Sequence, residues 1–497
     1  MPDAAPQLRL LPPDPDVTPL RIAESDRARE SGVTKLADFR DWYANYGRRA
    51  YMRVEQVPLD DISGWETDPV TGNIRHRSGR FFTIEGLEVR VSDGPIGGWS
   101  QPVIHQPEVG ILGILVKEFD GILHCLMQAK VEPGNCNGFQ ISPTVQATRS
   151  NYSRVHGGKP VPYLEYFQAR ELCGVLADVR HSEQGSAFYH KRNRNMVVEV
   201  AEDVAVAEGF CWLTLGQLHR LLMVDDLINM DTRTVLACLP FAHPRLARVL
   251  APPPDEFHAT LIRSCDPSAG SLHSTAAILS WITEARARTE VRTRLVSLAG
   301  LPGWRRADGR ISHESGAFFD VIGVRVEAGS REVSRWAQPM IEPCGMGIVA
   351  FLVKPFDGVL HVLLNARIEG GYVDVVELAP TVQCIPANYE HLPPTARPRF
   401  LDTVERAAPG QVRYEAVLSD EGGRFFHARN RHLIVETDQE VARHDPDFRW
   451  LAVHQLVDLL RHSHYLNIQA RSLVACLQSL LTPPDEVPSF EGSGPSK

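Results

Sequence analysis

The sequence predicts an α+β protein built as two tandem copies of one domain. Three observations carry this. From Gly72 to Glu199 the chain realigns with Gly309 to Glu436 at a constant offset of 237 residues, without a gap. All eight tryptophans fall into four repeat pairs, Trp42/Trp281, Trp65/Trp304, Trp99/Trp336 and Trp212/Trp450. Within each copy, strand-like apolar runs are interleaved with segments of helical period. A repeat this long marks duplication of a whole domain rather than solenoid units.

The elements follow in order. Residues 1–30 open Pro- and Asp-rich and are expected to be a disordered segment. The first repeat is assigned to 31–250. Leu36, Phe39, Trp42, Tyr43 and Tyr46 fall at helical spacing, with Thr34 as possible N-cap. Phe81 to Val91 alternates like a strand; Val109–Val116 and Gly121–Ala129 are two more strands, split by a turn at Asp120 and Gly121. A basic loop around Arg192 leads into a strand at Met196–Val200. Thr214–Met223 and Asp231–Leu239 read as helices, with Thr214 and Asp231 as caps. A Pro-rich boundary gives a linker at 251–270. The second repeat occupies 271–482, and residues 483–497 form a loose tail.

Composition excludes several classes. Hydrophobic residues are 43% and charged residues 23%, as in soluble globular proteins. A net charge of −9 with no basic run disfavours nucleic acid. Nine cysteines without a CxxC pair give neither a disulfide framework nor a zinc site. Apolar stretches such as Ile111–Val116 are far shorter than the ~20 residues of a membrane helix, and no secretory signal is seen. The expectation is a cytoplasmic protein with no membrane partner.

The stretch Gln128 to Tyr152 is dense in amides, hydroxyls and charge where a strand leaves its sheet, a common way to build a pocket. Its second copy is Asn365 to Tyr389. Shared features are His76/His313, His124/His361, Glu132/Glu369, Asn151/Asn388, Tyr152/Tyr389 and His190/His427. They serve either the fold or a common ligand. Arg192, Asn193 and Arg194, repeated as Arg429, Asn430 and Arg431, are either a solvated basic turn or a grip for a diphosphate. The differences cluster. Gln128, Lys130, Asn135, Gln140, Ser142, Thr148 and Arg149 face Asn365, Arg367, Tyr372, Glu377, Ala379, Ile385 and Pro386. His156, Tyr166 and Lys191 face Pro393, Thr403 and Ala428. Lysine exchanges a proton once its pKa is lowered, whereas arginine holds its own. One working site in the first repeat and one degenerate pocket in the second account for this pattern.

At WSQPVIHQPEVGILGIL, QAKVEPGN, SPTVQATRSNY, SEQGSAFYHKRNRNMVVE and NMDTRTVLACLP the chain resembles the NDP-hexose 2,3-dehydratases of deoxysugar biosynthesis. The resemblance spans roughly residues 30–480, and multi-segment matches of this length are specific. It implies two Nudix-like α/β sandwich domains, a homodimer and a dTDP-4-keto-6-deoxy-D-glucose substrate. It also implies two nucleotide-sugar pockets, one of them catalytic. Residues 177–181 are more basic than the resemblance leads one to expect. A Nudix pyrophosphohydrolase needs paired glutamates for Mg²⁺, and this chain has no Glu-Glu dipeptide. Arg170, Glu171 and Leu172 are a false start of that motif. No metal site is therefore expected, and diphosphate hydrolysis is disfavoured.

The implied reaction needs a base for the C3 proton, donors to the C4 oxygen and an acid for the C2 hydroxyl, but no cofactor. Lys130 and Glu132 are the proton-handling candidates, pointing the same way if they lie on a strand end; the alternative is a surface ion pair. Gln128, Gln140 and Tyr152 would hold sugar oxygens, Tyr152 being an alternative acid. Asn135, Thr148 and Arg149 complete the special positions. Arg192, Asn193 and Arg194 would take the diphosphate. Trp99 or Tyr166 would stack on the base, unless Trp99 is core. His76 and His156 are reserves. The second pocket would comprise His313, Trp336, Arg367, Glu369, Tyr389, Arg429, Asn430 and Arg431. A nucleotide-sugar hydrolase and a non-catalytic nucleotide-sugar binding protein are the rival readings.

Overall fold

The computed structural model describes residues 14–92, 94–152, 160–168, 174–329 and 333–482. Each repeat forms one large mixed sheet. In the first, the order is Val175–Ser182, Arg192–Val200, Gly110–Phe119, Ile122–Val131, Phe210–Thr214. Phe139–Ser142 and Val145–Ala147 add to Ile122–Val131 and Gly110–Phe119. The second repeat builds its sheet on Val412–Ser419, Arg429–Glu436, Gly347–Phe356 and Val359–Arg367 in the same way. The central pair is parallel in both. Gly110–Phe119 is an unbroken apolar run from Ile111 to Val116 because both of its faces are covered. Leu112, Ile114 and Val116 meet the helices, while Ile111 and Leu115 pack with Phe167 and Trp212. The hairpin predicted at Asp120 and Gly121 is present, with φ of 49° and 81°, and recurs at Asp357 and Gly358.

The predicted helices form, with different caps in two cases. Thr214 caps Leu215–Leu221 through a capping box with Gln217. Leu36–Arg49 starts from Lys35 rather than Thr34; the Thr34 carbonyl is engaged by Gln217 Nε2 at 2.7 Å. Asn229, not Asp231, caps Met230–Leu236, its Oδ1 accepting from Thr232 N at 2.8 Å. The basic loop ends earlier than expected, because the strand already begins at Arg192.

Two expected unstructured stretches contain helices. Thr18–Arg27, inside the segment taken as disordered, buries Ile22 and Ala23. Ser25 Oγ donates to Leu123 O at 2.6 Å and accepts from Leu215 N at 3.0 Å. Glu256–Ser264, inside the expected linker, is its repeat mate. Ser264 Oγ donates to Leu360 O at 2.5 Å and accepts from Val453 N at 2.8 Å. Each helix is short and Pro-flanked, and its serine joins the start of a strand to the start of another helix, a tertiary role invisible in periodicity.

The repeats are also not beads on a string. Met52–Val57 pairs with Phe319–Ala328 of the second repeat, and Val291–Val296 pairs with Thr83–Val91 of the first. Each repeat thus lends a strand to the smaller sheet of the other. Two loops cross as well. Gly134 N donates to Gly422 O at 2.8 Å and Gly371 N to Gly185 O at 2.8 Å. A Cβ on Gly134 would collide with the Phe425 carbonyl, and one on Gly371 with that of Phe188. Gly134→Ala is expected to cost about 2 kcal/mol by backbone displacement, measured as a lowered Tm.

Candidate active site

The crossing loops decide what lines each pocket. In the first repeat, the end of Ile122–Val131 carries Lys130 and Glu132 into a cavity of ≈90 Å³. Gln146, Thr148, Glu183, Lys191, Asn193 and Asp231 also line it. Glu421 and Arg424 come from the second repeat. The first-repeat site is therefore composite. Lys130 Nζ donates to Gln146 O at 2.7 Å, and Gln146 Nε2 donates to Glu132 Oε1 at 2.9 Å. Asn193 Nδ2 donates to Glu183 Oε1 at 2.6 Å. Burial pushes the Glu183 and Glu421 carboxyls up. It pushes Asp231 well up, with the charge of Glu183 adding to it. Burial also lowers the Lys191 ammonium to about 8. These groups interact as a set, with carboxyls pushed up and a lysine pushed down in one shared cavity.

The second cavity is larger, ≈670 Å³, and takes Gln184, Ser186 and Ala187 from the first repeat. Of the residues expected in the second pocket, His313, Arg367, Glu369, Tyr389 and Asn430 line it, and Trp336, Arg429 and Arg431 do not. Position by position, Arg367 stands for Lys130, Ile385 for Thr148, Gln469 for Asp231 and Ala428 for Lys191. Gln184 stands for Glu421 and Ala187 for Arg424. The polar frame persists: Arg367 Nε donates to Glu369 Oε1 at 2.8 Å and Gln383 Nε2 to the same oxygen at 3.1 Å. What is lost is both lysines and two of the four carboxyls, while Glu369 and Asp420 remain.

Of the predicted first-site residues, the structure brings Lys130, Glu132, Thr148 and Asn193 together. Trp99 lines the second cavity instead, because its strand and the 182–190 loop cross to that side. Gln101 Nε2 donates to Ser186 O at 2.6 Å there. Trp336, predicted in the second pocket, instead bonds Gln338, which donates to Gly423 O at 2.6 Å on the rim of the first cavity. Gln140 is spent across the repeat interface, accepting from Ser419 Oγ at 2.8 Å. Asn135 is buried beside Gly422, outside the lining. Gln128 lies farther up the strand, and Arg149 is exposed. Tyr166 packs in the Phe167 and Trp212 cluster. His76 bonds Ser78 at 2.7 Å and stands edge-on to Trp65, outside the first cavity. The Tyr152 side chain, His156 and residues 170–171 lie outside the described residues.

The Arg-Asn-Arg segments are strands, so alternation sends the arginines and the asparagine to opposite faces. Arg194 pairs with Asp178 at 2.6 Å and Arg431 with Glu415 at 2.7 Å. Arg429 lies 2.8 Å from Asp226. Neither triplet converges on one diphosphate. Sequence reading missed Glu183, Asp231, Glu421 and Arg424. Asp231 facing Gln469 was visible in the repeat alignment; Glu421 and Arg424 were not, since nothing local tells that a loop serves the other copy.

The family model for NDP-hexose 2,3-dehydratases matches residues 36–239 and again 275–477. Among curated proteins, the dTDP-4-dehydro-6-deoxy-alpha-D-glucopyranose 2,3-dehydratase of Saccharopolyspora spinosa is 50% identical over 93% of this chain and 95% of its own. That of Amycolatopsis orientalis is 47% identical over 93% and 94%. That of Streptomyces violaceoruber is 46% identical over 90% and 98%. With both repeats matched by the model and the relatives covered over more than nine-tenths of their length, the chain belongs to the NDP-hexose 2,3-dehydratase family.

Proposed function

We propose that this chain removes water across C2 and C3 of dTDP-4-keto-6-deoxy-D-glucose, giving the 3,4-diketo-2,6-dideoxy sugar, and that the first cavity performs the reaction. The observation that carries this reading is the difference between two equivalent cavities. One holds lysines and buried carboxyls where the other holds arginine, glutamine and alanine. The C4 ketone acidifies C3–H; Lys130 and Glu132 handle that proton; the C2 hydroxyl leaves as water; the 2,3-enol then ketonises. Cationic Lys130 and Arg424 would steady the enolate oxygen.

The second cavity is read as a nucleotide-sugar site without chemistry; its volume lies in the range of small-molecule sites. A Nudix-like ancestry, a homodimer, a cytoplasmic location and a role in antibiotic biosynthesis belong to the same proposal, as what the family resemblance implies. Incubation of the purified protein with dTDP-4-keto-6-deoxyglucose is expected to give a product lighter by one water, seen by mass spectrometry. Release of a sugar phosphate would favour a hydrolase, and unchanged substrate despite binding a carrier.

A further inference from the structure

Asp231 stands in the first turn of Met230–Leu236 without capping it, because Asn229 does so. Its carboxyl is thereby left to the cavity that holds Lys130 and Glu132. Asp231 is 3% exposed, and its Oδ1 has no hydrogen-bond partner among the described residues. A buried carboxyl oxygen in that state is costly unless a ligand or a proton satisfies it. The other repeat shows the satisfied version. There Gln469 Nε2 donates to Asp420 Oδ1 at 2.9 Å, an amide closing on a carboxylate. In the first cavity the same two positions are Asp231 and Glu183, and the crossing loop adds Glu421. Carboxyls buried together favour retention of a proton, and burial pushes Asp231 well above the usual carboxylate range.

We propose that Asp231 is the acid that protonates the departing C2 hydroxyl, an assignment that rests on the dehydratase reading above. The base takes the C3 proton and the electron pair is held as the C4 enolate. The pair then forms the C2–C3 double bond as the C2–O bond breaks. Asp231 gives its proton to the leaving oxygen and water departs. The O3 proton of the resulting enol returns to the Asp231 carboxylate while the protonated base delivers a proton to C2. Both groups end as they began.

The test separates proton abstraction from leaving-group protonation. Asp231→Asn is assayed for water loss, for exchange of the substrate C3 proton in D₂O, and for fluoride release from the 2-deoxy-2-fluoro substrate. Water loss is expected to fall about 10²–10⁴-fold, the usual worth of a positioned acid. C3 exchange and fluoride release should stay near wild type, since fluoride leaves without a proton. Asp231→Glu, which restores a donor, should recover part of the water loss. Should Asp231→Asn fail to fold, Asp231→Gln, copying the second repeat, takes its place. Wild-type dehydration in Asp231→Asn or Asp231→Gln overturns the proposal, as does parallel loss of exchange and fluoride release in either variant when folded. Wild-type protein that shows none of the three reactions overturns the dehydratase reading itself.

Discussion

Lys130→Ala is expected to lower turnover about a thousand-fold or more, while Arg367→Ala stays near wild type. The two residues occupy equivalent places and make equivalent bonds. Lys130 Nζ donates to Gln146 O, and Arg367 Nη1 donates to Gln383 O at 3.1 Å. Glu132 and Glu369 stand beside them in the same frame. What separates the repeats at this point is the ability to give up a proton. Lys130→Arg is therefore the sharper variant. It keeps the charge and an acceptor within reach, yet should lose nearly as much as alanine. Single-turnover rates, with thermal unfolding as a control for folding, provide the check. Equal losses from Lys130→Ala and Arg367→Ala would sink the one-site reading. Wild-type rates in Lys130→Arg would remove the proton from the role of Lys130.

The duplication, the central strands and the Lys130–Glu132 corner were legible because each is written locally, as a repeat offset or an apolar run. The strand alternation that splits Arg192 and Arg194 from Asn193 was legible too, had the strand been started four residues earlier. The composite nature of the cavities was not. Trp99 and Gln101 serve the second cavity, and Glu421 and Arg424 the first, because the 182–190 and 419–427 loops cross between repeats. That crossing is fixed by close backbone approach at Gly134 and Gly371, where only glycine fits. A sequence records the glycine but not the neighbour it admits. The helices Thr18–Arg27 and Glu256–Ser264 were hidden for a similar reason, since tertiary bonds of Ser25 and Ser264 help to hold what propensity alone would not.

Arg471→Met is expected to destabilise the whole chain by about 3–5 kcal/mol, as removal of a buried charge with fixed partners does. Arg471 is 1% exposed. It donates to Leu466 O at 2.7 Å within its own repeat and to Ser182 O at 2.7 Å at the root of the loop crossing from the other. Arg233 mirrors it, donating to Ile228 O and to Ser419 O, both at 2.6 Å. Each arginine thus clamps the other repeat's crossing loop. Arg471 also offsets the charge of Glu183, so its loss would disturb the first cavity from behind. Because strands, loops and one continuous core are shared, the repeats should unfold as one unit. Urea denaturation followed by tryptophan fluorescence and by far-UV circular dichroism should give coincident curves, both shifted to lower urea in the variant. A variant in which one repeat melts early while the other keeps the wild-type midpoint would show that the exchanged strands and the two arginine clamps do not couple the halves.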